Sequence, residues 1–325
     1  MNTSQAILKV NQLSQARTPF LLLVDFEMQK IRVHPLQDLP PSIQYEINLN
    51  EQTVSSNCEA EYRKLEVEAH PFAQFYRQFD RVKDELLYGN SFLLNLTARH
   101  SIQTELSLAD IYCKAQAKYK LHYHNEGEQF VVFSPETFVR INKGIISSYP
   151  MKGTIDADLP DAKKILLADK KEIAEHNTIV DLIRNDLSLY AKQVTVTKFR
   201  YLDLIKTDQK NLYQMSSEIT GRLPEDYLDR LGDILCSMLP AGSISGAPKK
   251  KTIEIIQETE SGPRGYYTGI CGVFDGENFE SFVMIRYIEQ VDSQKYYRSG
   301  GGITFMSEVE KEYQEMIDKI YIPQS

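Results

Sequence analysis

The sequence predicts an α+β fold, and three observations carry that reading. Strand-like and helix-like segments come in blocks, not in the strict alternation of a doubly wound sheet. The 325 residues are 42% hydrophobic and 25% charged, ordinary values for a globular chain with a buried core. No internal repeat or low-complexity tract is seen in the sequence. At roughly 150 residues per domain, the length allows two domains or one large one.

Residues 1 to about 60 are rich in Gln, Asn and Ser, with loose apolar runs at 20–24 and 41–48 and a break at Pro40-Pro41. A helix is predicted over 61–88, where Leu65, Phe72, Phe75 and Phe79 recur at spacings of seven, three and four. Short strands are predicted at 91–98, 129–133, 138–141 and 145–149, then helices over 161–191 and 225–239. Pro248 suits a first helical position and opens a helix running to Glu260. Glycine-bounded strands follow at 265–274, 279–288 and 296–305. A last helix starts at Ser307, where Ser307 and Glu310 spell a capping box.

Net charge is −8 and no basic stripe stands out, which argues against nucleic acid or anionic membranes as partners. The N-terminus has no basic-then-apolar leader pattern, and no apolar run approaches the ~20 residues of a membrane span. Cys58, Cys113, Cys236 and Cys271 are far apart with no CxxC pair, which suits reduced thiols and a cytoplasmic location.

Several chemical-looking signals fail. Gly242–Gly246 resembles a nucleophile elbow but has Ile244 where Ser is required. Neither that stretch nor Gly300-Gly301-Gly302 has the spacing of a nucleotide-phosphate loop. The three glycines do allow a small ligand to approach the backbone, or mark a bulge. His122 and His124 lack a third ligand and read as surface or core histidines.

Two Glu-x-x-Glu pairs are harder to dismiss. In the 172–187 helix, Ile173, His176, Val180, Ile183 and Leu187 make one apolar face, with Glu172 at its edge and Glu175 beside it. The last helix repeats this: Val309, Tyr313, Met316, Ile317 and Ile320 face inward, while Glu312 and Glu315 share a flank, with Lys319 in reach of Glu315. The bland alternative is a solvated face with a weak salt bridge. If the pairs meet, four carboxylates repel unless a divalent cation neutralises them, and oxygen-only ligands suit Mg²⁺. Lys152, between Pro150-Met151 and Gly153, is placed by its backbone; alone it reads as a solvated turn lysine.

These pieces resemble the chorismate-utilising enzymes, in order and form. The resemblance rests on Gly89–Thr97, Ser134-Pro135-Glu136, Pro150–Thr154, Lys171–His176, Val180–Leu187, Pro240–Lys249, Arg264–Gly269, Ile285-Arg286, Gly300–Ile303 and Glu312–Glu315, spanning about 86–320. It implies one large domain of two packed β-sheets flanked by helices, with 86–325 as the catalytic core and 1–85 integrated with or packed on it. It also implies a Mg²⁺ shell of Glu172, Glu175, Glu312 and Glu315. Tyr267, Arg286, Gly301 and Gly302 would hold the substrate carboxylates, a task to which the Arg fork is suited. His176 and Thr154 would lie near the substrate ring, and Glu136 would be the general acid and base.

Within the family the nucleophile divides the branches. Members that use water carry a lysine base where Leu94 stands here, and anthranilate synthases usually have Ala where Lys152 stands. A lysine at the latter position resembles the branch that aminates C4 of chorismate to 4-amino-4-deoxychorismate. The chain shows no glutamine-hydrolysing motif, so the resemblance implies a separate glutamine amidotransferase as ammonia donor, and a lyase downstream to give 4-aminobenzoate for folate. Anthranilate formation and non-catalytic chorismate binding are the alternatives. Leu93, Asn177 and Ile155-Asp156-Ala157 depart from the usual family residues, and the short N-terminal segment speaks against a regulatory tryptophan pocket.

Overall fold

A computed structural model describes residues 1–47, 65–205 and 211–323. Cys58 and positions 48 and 61–64 of the predicted segments lie outside these. Among the described residues, antiparallel pairing builds one sheet of nine strands and one of eight. The strand Phe20–Val24 shows why they form layers. All five residues are buried, and successive side chains point to opposite faces. Phe20, Leu22 and Val24 join a core with the helix residues Ala6, Val10, Leu231 and Leu235. Leu21 and Leu23 join a second core with Tyr119, Leu121 and Tyr123 of the other sheet. The nine-stranded sheet is thus covered by helices on one face and by its partner sheet on the other. A third core lies outside the eight-stranded sheet, where Val131, Phe133, Ile288 and Tyr297 pack with Leu108 and Ile111 of the helix Leu108–Lys114. This is the α+β fold of two packed sheets and flanking helices.

Two of the places where the chain crosses between the sheets lie side by side. Strand Glu128–Ser134 belongs to the eight-stranded sheet and Thr137–Asn142 to the nine-stranded one, so Pro135-Glu136 is the crossing. Strand Phe279–Val283 leads back to Tyr287–Val291 through Met284–Arg286. The crossings are stitched together: Val283 N–H donates to the Glu136 carbonyl at 3.1 Å, and Phe133 N–H to the Arg286 carbonyl at 3.2 Å. The single strand expected over 279–288 is therefore two strands in different sheets. Its break spans Met284–Arg286, where Arg286 has φ 55°, a left-handed conformation.

Other expectations are corrected in detail. Residues 66–68 of the predicted 61–88 helix form a strand, and the helix is Phe72–Leu87, opened by Pro71. The 161–191 helix is two, Ala162–Ala168 and Lys170–Ser188, because Asp169 is extended and caps the second by accepting from Glu172 N–H at 3.0 Å. The expected 265–274 strand is ordered as a strand only over Ile270–Phe274. The Ser307–Glu310 capping box does not form: helix Val309–Asp318 starts after Glu308, and Ser307 Oγ instead accepts from Thr304 N–H. Among the described residues no helix is long and apolar enough to cross a membrane.

Candidate active site

Lys152 lies on the strand Met151–Asp156, not in a turn. Its neighbour Gly153 is the extra residue of a bulge: Lys152 pairs with Met215 and Thr154 with Gln214. Gly153 has φ +68°, and a Cβ there would meet Glu172 Oε2 and Leu166 Cδ1, each at 2.9 Å. The bulge thus seats the strand against Glu172 and turns Lys152 inward. The Lys152 side chain is 16% exposed, its Nζ is 3.7 Å from Glu175 Oε2, and it fills the space over Gly302, 3.1 Å from where a Cβ would stand.

Three of the four glutamates converge on Gly301 and Gly302, while Glu172 packs against Gly153. A Cβ on Gly302 would lie 3.4 Å from Glu175 Oε2, and one on Gly301 would lie 3.7 Å from Glu315 Oε1 and 3.8 Å from Glu312 Oε2. The solvated-face alternative does not hold for Glu175 and Glu312, which are 5% and 2% exposed. Glu315 is exposed and pairs with Lys319 at 2.8 Å as the i,i+4 spacing predicts. Burial and the charge of Glu175 push Glu172 up to about 7. Burial likewise raises Glu175. Lys171 Nζ reaches in from the first turn of the same helix, 2.7 Å from Glu312 Oε1 and 3.7 Å from Glu175 Oε1.

Glu136, on the first crossing, is half-buried, and its Oε1 accepts from Ser243 Oγ at 2.5 Å. Burial raises its carboxyl above the ordinary range, against the pull of Ser243 and of the Lys152, Arg286 and Lys319 charges. Arg286, on the second crossing, stacks near Tyr321, and its buried Nε has no hydrogen-bond partner. Such a donor is ready for an anionic oxygen. Tyr267 is 4% exposed, with burial pushing its hydroxyl up to about 12. His176 is fully buried; its Nε2 shares a 2.7 Å hydrogen bond with Ser217 Oγ, its Nδ1 has no partner, and burial with the nearby cations lowers it to about 4. Thr154 is exposed on the strand beyond the bulge. Leu94 is fully buried and pairs with Gly246 and Ile303.

The model of the chorismate binding enzyme family matches residues 17–324. The chain belongs to the chorismate-binding enzymes. It is 48% identical over 325 residues to an uncharacterised PabA-like protein of Pasteurella multocida, covering 99% of each. It is 30% identical over 268 residues to aminodeoxychorismate synthase component 1 of Bacillus subtilis, covering 79% of this chain and 56% of that one. The crystal structure of anthranilate synthase component I from Streptococcus pneumoniae superposes with a TM-score of 0.68 at 25% identity, over 92% of this chain and 70% of that chain.

The Lys152, Arg286 and Lys319 charges all bear on Glu136, which makes these surroundings suited to an anionic ligand. A cavity of about 410 Å³, lined by Phe92, Leu93, Ala174, Glu175, Thr304 and Phe305, adjoins the glutamate cluster at Glu175, a volume in the range of small-ligand sites. The donor set also suits Mg²⁺. Glu175 Oε1 and Glu312 Oε2 are buried without hydrogen-bond partners, leaving hard oxygen donors free for a cation. Among the described residues no three acidic, His or Cys side chains already stand as a formed metal cage. Sequence reasoning missed three contributors. Ser243 and Lys171 sat unassigned inside the motifs, although the i,i+4 spacing of Lys171 and Glu175 was legible. For Lys319 the spacing predicts only the pair with Glu315, yet its Nζ stands 3.8 Å from a Cβ on Gly301 and donates to the Gly300 carbonyl at 2.9 Å.

Proposed function

We propose that this chain is the component I of an aminodeoxychorismate synthase, forming 4-amino-4-deoxychorismate from chorismate and ammonia. The observation that carries the reading is the lysine amine itself: Lys152 Nζ points into the cluster of Glu175, Gly302 and Leu93 rather than into solvent. Arg286, Lys319 and Tyr267 bind and orient the carboxylates of the substrate. Lys152 Nζ adds at ring C2, both ring double bonds shift by one position (C1=C2 to C1=C6, C5=C6 to C4=C5), and the C4 hydroxyl departs as water with the proton of Glu136. Ammonia then adds at C4, both double bonds shift back, the C2–N bond breaks to regenerate Lys152, and Glu136 takes the excess proton. Glu172, Glu175, Glu312 and Glu315 would hold Mg²⁺, which supplies Lewis-acid stabilisation of the ring carboxylate. His176 and Thr154 line the ring side of the site. A glutamine amidotransferase subunit supplies the ammonia, and the chain acts in the cytoplasm.

The test is incubation of the purified chain with chorismate, Mg²⁺ and an ammonium salt. Mass spectrometry should find 4-amino-4-deoxychorismate. Fluorescent anthranilate as the product would place the chain on the other branch, and tight chorismate binding without turnover would make it a binding subunit. Lys152→Ala should lose C4 amination; full product formation by that variant would sink the covalent step.

A further inference from the structure

Two helices, Lys170–Ser188 and Val309–Asp318, each drive one carboxylate into the interior: the Glu175 and Glu312 side chains are 6% and 2% exposed. The cation nearest to both is Lys171, whose Nζ hydrogen-bonds Glu312 Oε1 at 2.7 Å and lies 3.7 Å from Glu175 Oε1. One ammonium does not satisfy the pair, since Glu175 Oε1 and Glu312 Oε2 remain buried without a hydrogen-bond partner. We propose that Lys171 is the built-in counter-cation of this cluster, and that its ammonium competes with a divalent cation for the gap between Glu175 and Glu312. The proposal rests on reading the four glutamates as a Mg²⁺ site.

Mg²⁺ takes carboxylate oxygens at about 2.0–2.1 Å. An ion bound by both carboxylates would stand against the Lys171 ammonium, and the two charges repel without a solvent shell between them. Lys171 is built to leave. It lies in the first turn of its helix with a side chain 31% exposed, and a flexible four-carbon stem can carry the ammonium outward while the carboxylates stay. The other two lysines do not have this freedom. Lys319 Nζ is tied to Glu315 Oε1 at 2.8 Å and the Gly300 carbonyl at 2.9 Å, and Lys152 Nζ is enclosed over Gly302. Lys171 therefore makes the buried carboxylates tolerable in the metal-free fold and weakens metal binding below what four carboxylates would otherwise give.

Three proteins test this: wild type, Lys171→Gln and Lys171→Arg, each checked for fold by circular dichroism. Mg²⁺ binding is measured by titration calorimetry, and Mn²⁺ binding by the electron paramagnetic resonance signal of the free ion. Lys171→Gln should bind both ions at least tenfold tighter, with a lower metal-free Tm and a larger metal-induced rise in Tm. Lys171→Arg, which keeps a cation with a broader fork, should bind no tighter than wild type. Unchanged or weaker binding by a folded Lys171→Gln overturns the competition while leaving the metal site standing. Absence of binding by wild type and Lys171→Gln alike overturns the metal reading itself. Were Lys171→Gln unable to fold without metal, tighter binding by Lys171→Arg would overturn the proposal.

Discussion

Glu136 and Ser243 show how one hydroxyl sets the working range of an acid. Burial holds the Glu136 carboxyl above its usual range, and the hydrogen bond from Ser243 draws it part of the way back. A carboxyl raised in this way keeps its proton to higher pH and loses it as pH rises through the folded value. A step needing protonated Glu136 therefore has a basic limb above the ordinary carboxylate range. Ser243→Ala removes a contribution that lowers the carboxyl, so the basic limb of kcat should move to higher pH; an unmoved limb in a pH profile would remove Ser243 from this role. Glu136→Gln should lower kcat with ammonium by about 10²–10⁴-fold, the usual worth of a positioned acid or base. Lys152 was legible as an oddly fixed lysine because Pro150 and Gly153 flank it. Ser243 was not, because nothing local in Gly242–Gly246 reports a carboxylate that is 107 residues away in the chain.

At the scale of elements, the site depends on a bulge and a clamp. Gly153→Ala places a Cβ 2.9 Å from Glu172 Oε2 and Leu166 in a left-handed conformation. The conformation alone costs about 1–2 kcal/mol, so denaturant unfolding should show at least that loss, accompanied by loss of activity as Lys152 shifts. The clamp is Arg264, which is 1% exposed. It forks onto Glu260 at 2.7 and 2.9 Å and also donates to the carbonyls of Ile244 and Asn95, while Glu260 Oε1 accepts from Thr97 N–H. It thereby ties the strand Leu93–Gln103 to the segment that carries Ser243. Arg264→Met leaves the buried Glu260 without its counter-charge and should cost about 3–5 kcal/mol by urea unfolding. A loss below 1 kcal/mol would show that water replaces the guanidinium. Element types were mostly legible from periodicity, but their ends were not. The 161–191 segment reads as one helix because its apolar spacing continues, while the interruption lies in the extended backbone of Asp169.

At the scale of the molecule, two sheet crossings and two helices bring opposite charges to one place. Glu136 and Arg286 sit on crossings stitched by backbone hydrogen bonds, and Lys152, Lys171 and Lys319 face four glutamates. Clustering of acids with so little solvent makes the fold sensitive to cations. Mg²⁺ should raise the Tm of the chelator-treated protein, since a ligand at a hundred times its Kd stabilises by about 2.7 kcal/mol. The rise should shrink in Glu312→Gln. A Tm indifferent to Mg²⁺ in scanning calorimetry would contradict a cation at the glutamates.

The sequence by itself determined the fold class, the family motifs, the two Glu-x-x-Glu pairs and the fixing of Lys152 between Pro150-Met151 and Gly153. These depend on spacing and residue type, which local periodicity records. Only the tertiary structure decided that Glu175 and Glu312 are buried rather than solvated, that Lys171 lies between them, and that Ser243 holds Glu136. Burial and partnership across the chain depend on which faces meet. Here that is settled by the two sheets packing through Leu21, Leu23 and Tyr123, and by the chain changing sheets at Glu136 and Arg286.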